Sequence, residues 1–307
     1  MADFKMAAMV VLRRNVNFVF GVRSGRIHGY VARDQGGRRH PSRMCNGEHK
    51  NIFKKKKKTY KSVKNLPGSV CPSTQGPWIE MTEYPKSIDD DFDGCTEEMY
   101  DLVTSKYLKE ELKSDFFRTA WEDAGGREVK LTPDNLRTVA VRAYSRDIYL
   151  ELNDRMREGK DGYKTSFGLI SLHFLLTDAI QTLNPRGTCQ TAYRFSCDKF
   201  KLKGRTVRFG SFASSTRDPK LRRFGSETCF IITTCHGADI TSLSVFTDET
   251  EILIPPYERF EEEPLGKVPL ELRDCKRIIR LKSIEKKSNM KCELVPKKKK
   301  GCLNCFG

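Results

Sequence analysis

The stretch FTDETEILIPPYE, residues 246–258, decides the reading of this chain. Glu249 and Glu251 stand one residue apart, directly before the apolar run Ile252-Leu253-Ile254, which reads as a buried strand. On an extended chain, side chains two apart share a face, so both carboxylates are expected to project together from the rim of a sheet. Thr250 between them is expected to point away. Pro255-Pro256 ends the strand, because proline has no N–H to give the ladder. Two like charges on one face repel, which costs stability unless the chain uses them. Taken alone, such a pair is more often a solvated strand start than a site.

The sequence upstream changes that weighting. Arg194 sits in the strand-like run 190–196. Residues 206–216 read TVRFGSFASST, in which Val207, Phe209 and Phe212 suggest a strand ending in a hydroxyl-rich turn, Ser214-Ser215-Thr216. A strand arginine by itself more often pairs with an acidic neighbour, and three hydroxyls in a row more often make a turn. Arginine, then serines, then two glutamates, each at a strand, form a three-part constellation.

Helical spacing predicts helices over 96–113, over 133–158 with Thr132 as N-cap and Pro133 at the first helical position, and over 167–183. The third is apolar nearly all round, which suggests burial against a sheet. From Cys189 the period switches to two. Strands are expected over 190–196, 206–212, 227–233, 243–246, 251–254, 257–262 and 276–284. Helices followed by strands argue an α+β domain. No G-x-G-x-x-G follows a strand, which argues against a Rossmann fold. His173 and His236 read as structural rather than as general bases.

The 307 residues carry a net charge of +16, which raises the question of nucleic-acid binding. The distribution argues against it. Residues 1–77 hold 17 Lys/Arg against 3 Asp/Glu, residues 286–307 hold 7 against 1, and residues 78–285 hold 32 against 36. The basic charge lies in two flanking segments, with lysine runs at 54–58 and 297–300. Such runs repel themselves and are usually solvated. The expected division is a basic, disordered extension over 1–77, a domain over 78–285 and a basic tail over 286–307. Eleven cysteines leave at least one unpaired, and Cys302-x-x-Cys305 lacks the second pair that a zinc site needs. A signal peptide is not clear at the N-terminus, where Arg13-Arg14 interrupts the apolar block.

Seven pieces now line up in order: FDGC (92–95), FRTAWEDA (117–124), LHFLLTDAIQTL (172–183), AYRFS (192–196), VRFGSFASST (207–216), TTCHGADI (233–240) and ETEILIPPYERFE (249–261). Together the chain resembles the vertebrate arginine-specific mono-ADP-ribosyltransferases, the clade known by an Arg–Ser–Glu signature, over about residues 78–282. The resemblance implies a helical N-terminal half packed on two small sheets that enclose a cleft for NAD. It implies transfer of ADP-ribose from NAD, with NADP as an open alternative, to arginine on acceptor proteins, with NAD hydrolysis as a side reaction. No metal and no nucleic acid are required, and a monomer without a membrane span is expected.

On the matching positions, Glu251 stabilises the developing ribose cation and Glu249 receives the acceptor arginine. Arg194 holds the phosphates, and Ser214 orders the cleft. Tyr144, Ser211 and Ser244 fall where the family contacts the dinucleotide. Two family disulfides map to Cys95–Cys275 and Cys189–Cys235, which implies an oxidising, extracellular compartment. The usual apolar tail for a lipid anchor is missing from the ending KKKKGCLNCFG. One departure is Phe195-Ser196, where the family has glycine and a small residue. A bulky ring beside the phosphates would obstruct them, and this motivates the alternative of a degenerate binding module. A basic-tailed nucleic-acid-binding protein is the remaining alternative.

Overall fold

The computed structural model describes residue 71, residues 76–221 and residues 224–296. The extension over 1–70 and the lysine runs at 54–58 and 297–300 lie outside the described residues. Within them, a helical layer precedes a mixed sheet, as the switch in period predicts.

Helix α1 (Thr96–Leu102) continues through a π turn, Val103–Tyr107, into α2 (Leu108–Glu111), and buries Met99, Val103 and Leu108 on one face. Helix α3 (Asp115–Asp123) was not expected from the pattern. It is short, and its packing rests on Phe117 and Trp121, one turn apart and nearly sealed from solvent. The Trp121 indole N–H donates to Gly126 O at 3.1 Å. The long helix expected over 133–158 is in fact two. Helix α4 (Pro133–Ala143) is separated from α5 (Tyr149–Arg157) by a π turn over Tyr144–Ile148, in which Arg146 leaves helical geometry at φ −88°, ψ −121°. Helix α6 (Ile170–Leu183) is buried along most of its length, as its apolarity predicts. His173 on α6 is fully buried, lies within ring contact of Phe92, Phe167 and Phe212, and meets Tyr163 Oη through Nδ1 at 3.0 Å. Burial pushes its pKa down to about 3, so it stays neutral and structural.

Among the described residues, ten strands follow the order of the chain: β1 (Ile79–Met81), β2 (Gln190–Ser196), β3 (Phe200–Leu202), β4 (Thr206–Val207), β5 (Ala213–Thr216), β6 (Thr228–Thr234), β7 (Ala238–Asp239), β8 (Glu251–Ile254), β9 (Glu258–Glu262) and β10 (Arg277–Lys286). β1 pairs with β3, and the other eight form one sheet in the order β4-β9-β10-β6-β2-β5-β8-β7. That sheet has two halves, because β2 and β5 share one registered pair, Tyr193 opposite Thr216. The halves face each other across an apolar cluster that includes Ala192, Phe230 and Ile279 from one and Ala213, Ile252 and Ile254 from the other. On the opposite face of the second half, Leu253 and Ala238 pack against the helical core. The two-sheet expectation therefore describes two halves of one bent sheet, with the small β1–β3 ribbon beside them.

Three local expectations fail. The strand expected over 206–212 stops at Val207, because the chain turns at Gly210, where φ is +69° and the Tyr84 ring leaves no room for a Cβ. Ser214-Ser215-Thr216 is not a turn but the interior of β5, buried and paired with β8. Residues 243–246 turn rather than extend, with Leu243 N and Ser244 N both donating to Ile240 O.

The C-terminal segment also departs from expectation. Residues 287–296, expected as tail, run back across the helical layer. Asp89 accepts from Asn289 N at 3.0 Å and Met290 N at 3.2 Å, and Asp90 accepts from Cys292 N at 3.0 Å and Glu293 N at 2.8 Å. Asp89 also pairs with Arg208 at 2.5 Å, with both side chains buried. Met290 enters the helical core. No hydrophobic period marks such a segment, because main-chain N–H groups and buried carboxylates hold it.

The same segment corrects the disulfides. Cys189 pairs with Cys235, but Cys95 pairs with Cys292 and Cys275 with Cys229. Cys275 and Cys292 lie on either side of the ten-residue strand β10. Cys275 enters β10 beside its parallel neighbour β6, which carries Cys229. A further bridge joins Cys71 to Cys197.

Candidate active site

The site grows from β5 and β8, paired antiparallel with Ser214 opposite Leu253 and Thr216 opposite Glu251. Alternation sends Ala213, Ile252 and Ile254 into the cluster between the half-sheets. Ser214, Thr216, Glu251 and Leu253 therefore share the opposite, helix-facing side. Glu251 opens β8, and its carbonyl accepts from Ile240 N at 2.9 Å.

Glu249 does not reach the site along an extended strand. It closes a 3₁₀ turn, Thr247–Glu249, and Thr250 then takes a left-handed conformation at φ +41°, ψ +50°. Both glutamates are 1% exposed, so neither is the solvated strand start that the bland reading supposes. Thr250 is not passive either. Its Oγ1 lies 3.1 Å from Thr216 Oγ1, and its carbonyl accepts from Arg217 N at 3.1 Å.

Arg194 comes from β2, across the junction between the halves. Its Nη1 donates to Ser214 O at 2.5 Å, which ties the arginine strand to the serine strand. Burial lowers the Arg194 pKa to about 10, since a guanidinium out of water loses hydration, yet it remains charged at neutral pH. Tyr144 arrives from the π turn between α4 and α5. Its Oη lies 3.4 Å from Ser214 Oγ and accepts from Asn153 Nδ2 at 3.2 Å. Burial, and then the nearby Glu251 charge, push the Tyr144 phenol up to about 12. Tyr149, edge-on to Tyr144 with ring centroids 6.0 Å apart, is raised for the same first reason. Ser145, next in the π turn, meets Ser244 Oγ at 3.0 Å. Breaking the helix at this point thus turns two consecutive side chains into the site, a use to which π turns are often put.

Arg194 sits on β2, Ser214 on β5, Glu251 on β8 and Glu249 on the turn before it, with Tyr144 on the π turn after α4 and Ser244 in the turn after β7. Ser211 is buried just before β5, with its hydroxyl donating to Phe212 O at 3.4 Å. Asn153, Ser145 and Thr250 belong to the same network and were not anticipated. Only the break at 144–148 connects the first two to the site, and helical periodicity gives no sign of it. Among the described residues, no group of three His, Cys, Asp or Glu side chains is placed to hold a metal ion.

Phe195 does not project beside Arg194. It alternates to the face opposite Arg194 and packs with Phe224, Ile231, Leu272 and the Cys229–Cys275 region. The obstruction expected from its bulk, and with it the motive for a degenerate module, falls away. His236 lies in the turn after β6, where its N–H and that of Cys235 donate to the buried Glu258 carboxylate at 3.0 and 2.7 Å. It serves that turn.

Comparison with known proteins agrees with this geometry. The profile of the family described as NAD:arginine ADP-ribosyltransferase matches residues 81–289. Ecto-ADP-ribosyltransferase 5 of Rattus norvegicus is 38% identical over 208 residues, spanning 60% of this chain and 67% of that protein. The erythroblast NAD(P)(+)–arginine ADP-ribosyltransferase of Gallus gallus is 32% identical over 254 residues, spanning 75% of this chain and 82% of the relative. Among solved structures, the eucaryotic mono-ADP-ribosyltransferase ART2.2 aligns with a TM-score of 0.60 at 29% identity, covering 70% of this chain and 99% of the other. ART2.2 variants have been crystallised with NADH and with NAD.

Proposed function

The chain belongs to the NAD:arginine ADP-ribosyltransferase family, and we propose that Arg194, Ser214, Glu249 and Glu251 carry its reaction. That reaction is the transfer of ADP-ribose from NAD to an arginine side chain, with release of nicotinamide. NAD hydrolysis follows when water takes the acceptor's place.

Breaking the bond between ribose and nicotinamide leaves positive charge on the ribose, as in glycoside hydrolysis. The buried carboxylate of Glu251 stabilises that charge through the low-dielectric surroundings. Arg194 clamps the pyrophosphate, for which a guanidinium is geometrically suited. Its bond to Ser214 O fixes it against the strand that leads to the glutamates. Glu249 orients the incoming guanidinium and takes its proton as the new nitrogen–carbon bond forms. Tyr144, Ser211 and Ser244 line the dinucleotide side. Asn153 holds Tyr144 in place.

The observation that carries this reading is the burial of both glutamates, one on a turn and one opening the strand that pairs with the serine strand. Polar carboxyl groups kept out of water in this way are costly, and a site that uses each of them accounts for the cost. Residues 76–296 are the proposed catalytic unit, acting as a monomer on acceptor proteins with an exposed arginine. Four disulfides among the described residues support an extracellular setting. No helix among those residues is long and apolar enough to cross a membrane. The division of labour between the glutamates is tested by Glu249→Gln. Transfer to a small guanidine acceptor such as agmatine should be lost while NAD hydrolysis survives. Equal loss of both reactions would refute the assignment of Glu249 to the acceptor.

A further inference from the structure

We propose that Thr250 is a positioning residue: its hydroxyl, bonded to Thr216, sets the left-handed turn that brings Glu249 to the acceptor side of the site. The proposal rests on the roles assigned above to the two glutamates.

A β-branched residue at φ +41° is a genuine outlier, because its branched Cβ crowds the neighbouring backbone there. Glycine or asparagine would adopt this conformation at less cost. The described residues contain three other non-glycine positions with positive φ, namely Tyr84, Phe92 and Cys292, and none of these is β-branched. Something must therefore hold Thr250 in place.

Hydrogen-bond inventory identifies it. A threonine hydroxyl has one hydrogen and two acceptor lone pairs. The Thr216 hydrogen goes to Glu249 O, at 2.8 Å. One lone pair accepts from Asp218 N at 3.0 Å. The contact with Thr250 Oγ1 at 3.1 Å must then have Thr250 as donor to the remaining lone pair. All three sites of the Thr216 hydroxyl are used, and it knots together the carbonyl of Glu249, the side chain of Thr250 and the exit from β5. The Thr250 carbonyl is held from the other side by Arg217 N. Thr250 is thus clamped at both side chain and backbone, and the strain of its conformation is offset by the bond its own hydroxyl donates.

The two glutamates depend on this clamp unequally. Glu251 lies inside β8, fixed by pairing to Thr216 on one side and by Ile240 N on the other. Glu249 lies on the far side of Thr250, where its carbonyl accepts from the same Thr216 hydroxyl that Thr250 bonds, and its N–H donates to Phe246 O at 3.3 Å. Releasing the clamp moves Glu249 and leaves Glu251 seated. The signature is a change in partition between two reactions rather than a loss of both.

Thr250→Val keeps the branched shape and removes the donor. Thr250→Ser keeps the donor and removes the branch. In the full-length protein, Thr250→Val should lower the ratio of agmatine transfer to NAD hydrolysis by roughly tenfold or more, as displacements of a positioned group commonly do. KM for NAD should be unchanged. Thr250→Ser should keep the parent ratio. Hydrogen exchange of the Arg217 and Asp218 amides, which donate to Thr250 O and Thr216 Oγ1, should quicken in Thr250→Val and not in Thr250→Ser. A folded Thr250→Val with the parent ratio and parent exchange would overturn the proposal, as would an equal loss in Thr250→Ser. If the parent neither transfers nor hydrolyses, the assignment of the glutamates fails, and amide exchange alone decides for or against the clamp.

Discussion

Glu111 is the group whose charge state should govern stability near neutral pH, and Glu111→Gln is the perturbation that reveals it. The side chain is 6% exposed at the end of α2. Its carboxylate accepts from Ile170 N and from Ser171 N, the latter at 3.1 Å to Oε2, at the start of α6. Those bonds and the helix N-terminus favour the ionised form. Burial opposes them and prevails, raising the pKa from 4.5 to about 7. An acid that is harder to ionise when folded binds the extra proton in the native state. Stability from this group is therefore full below about pH 4.5 and is lost as pH rises to about 7. At about 1.4 kcal/mol per pH unit, the interval corresponds to about 3 kcal/mol. Glutamine keeps an acceptor for α6 and has no charge to bury. In urea unfolding with disulfides intact, parent stability minus variant stability should fall by about 2–3 kcal/mol between pH 5 and pH 8. Other titrating groups cancel in that difference. A difference that stays constant across the range would refute the reasoning.

Three other outcomes follow from the packing. Phe195→Ala should cost about 3–5 kcal/mol in urea unfolding by opening a cavity behind the sheet, with KM for NAD within about twofold of the parent; a large gain in transfer would instead restore the obstruction reading. Asp89→Ala should cost about 3–5 kcal/mol, because Arg208 is left charged and buried and the C-terminal segment loses its acceptors; a loss below about 1 kcal/mol would show that the pair is dispensable. Cys292→Ser releases a bridge spanning 197 residues and should lower stability by about 2–5 kcal/mol. Equal thermal unfolding of Cys292→Ser and the parent would contradict the Cys95–Cys292 pairing.

The elements legible in the sequence are those whose burial repeats with a fixed period. β2 and β8 fall on the expected residues because one face of each is apolar. α6 ends where expected and begins three residues later, at Ile170, and was legible because nearly every face is apolar. Helix α3 was hidden because two aromatic residues do the packing of nine. The break at Tyr144–Ile148 was hidden because a π turn inserts a residue without disturbing composition. The segment after β10 was hidden because Asp89 and Asp90 hold main-chain N–H groups, which every residue type offers equally. The candidate site was legible as a set of residues, but its assembly was not. The expectation that Glu249 and Glu251 share a face by strand alternation reached a buried pair by the wrong path. The chain instead turns through Thr250, whose left-handed conformation no pattern of side chains announces.

The most direct test of the central claim is transfer of labelled ADP-ribose from NAD to agmatine by the full-length, disulfide-intact protein, beside Glu251→Gln. The parent should transfer label and release nicotinamide. Glu251→Gln should lose transfer and NAD hydrolysis together while still folding and still binding NAD. A folded Glu251→Gln that transfers label at the parent rate would contradict the account.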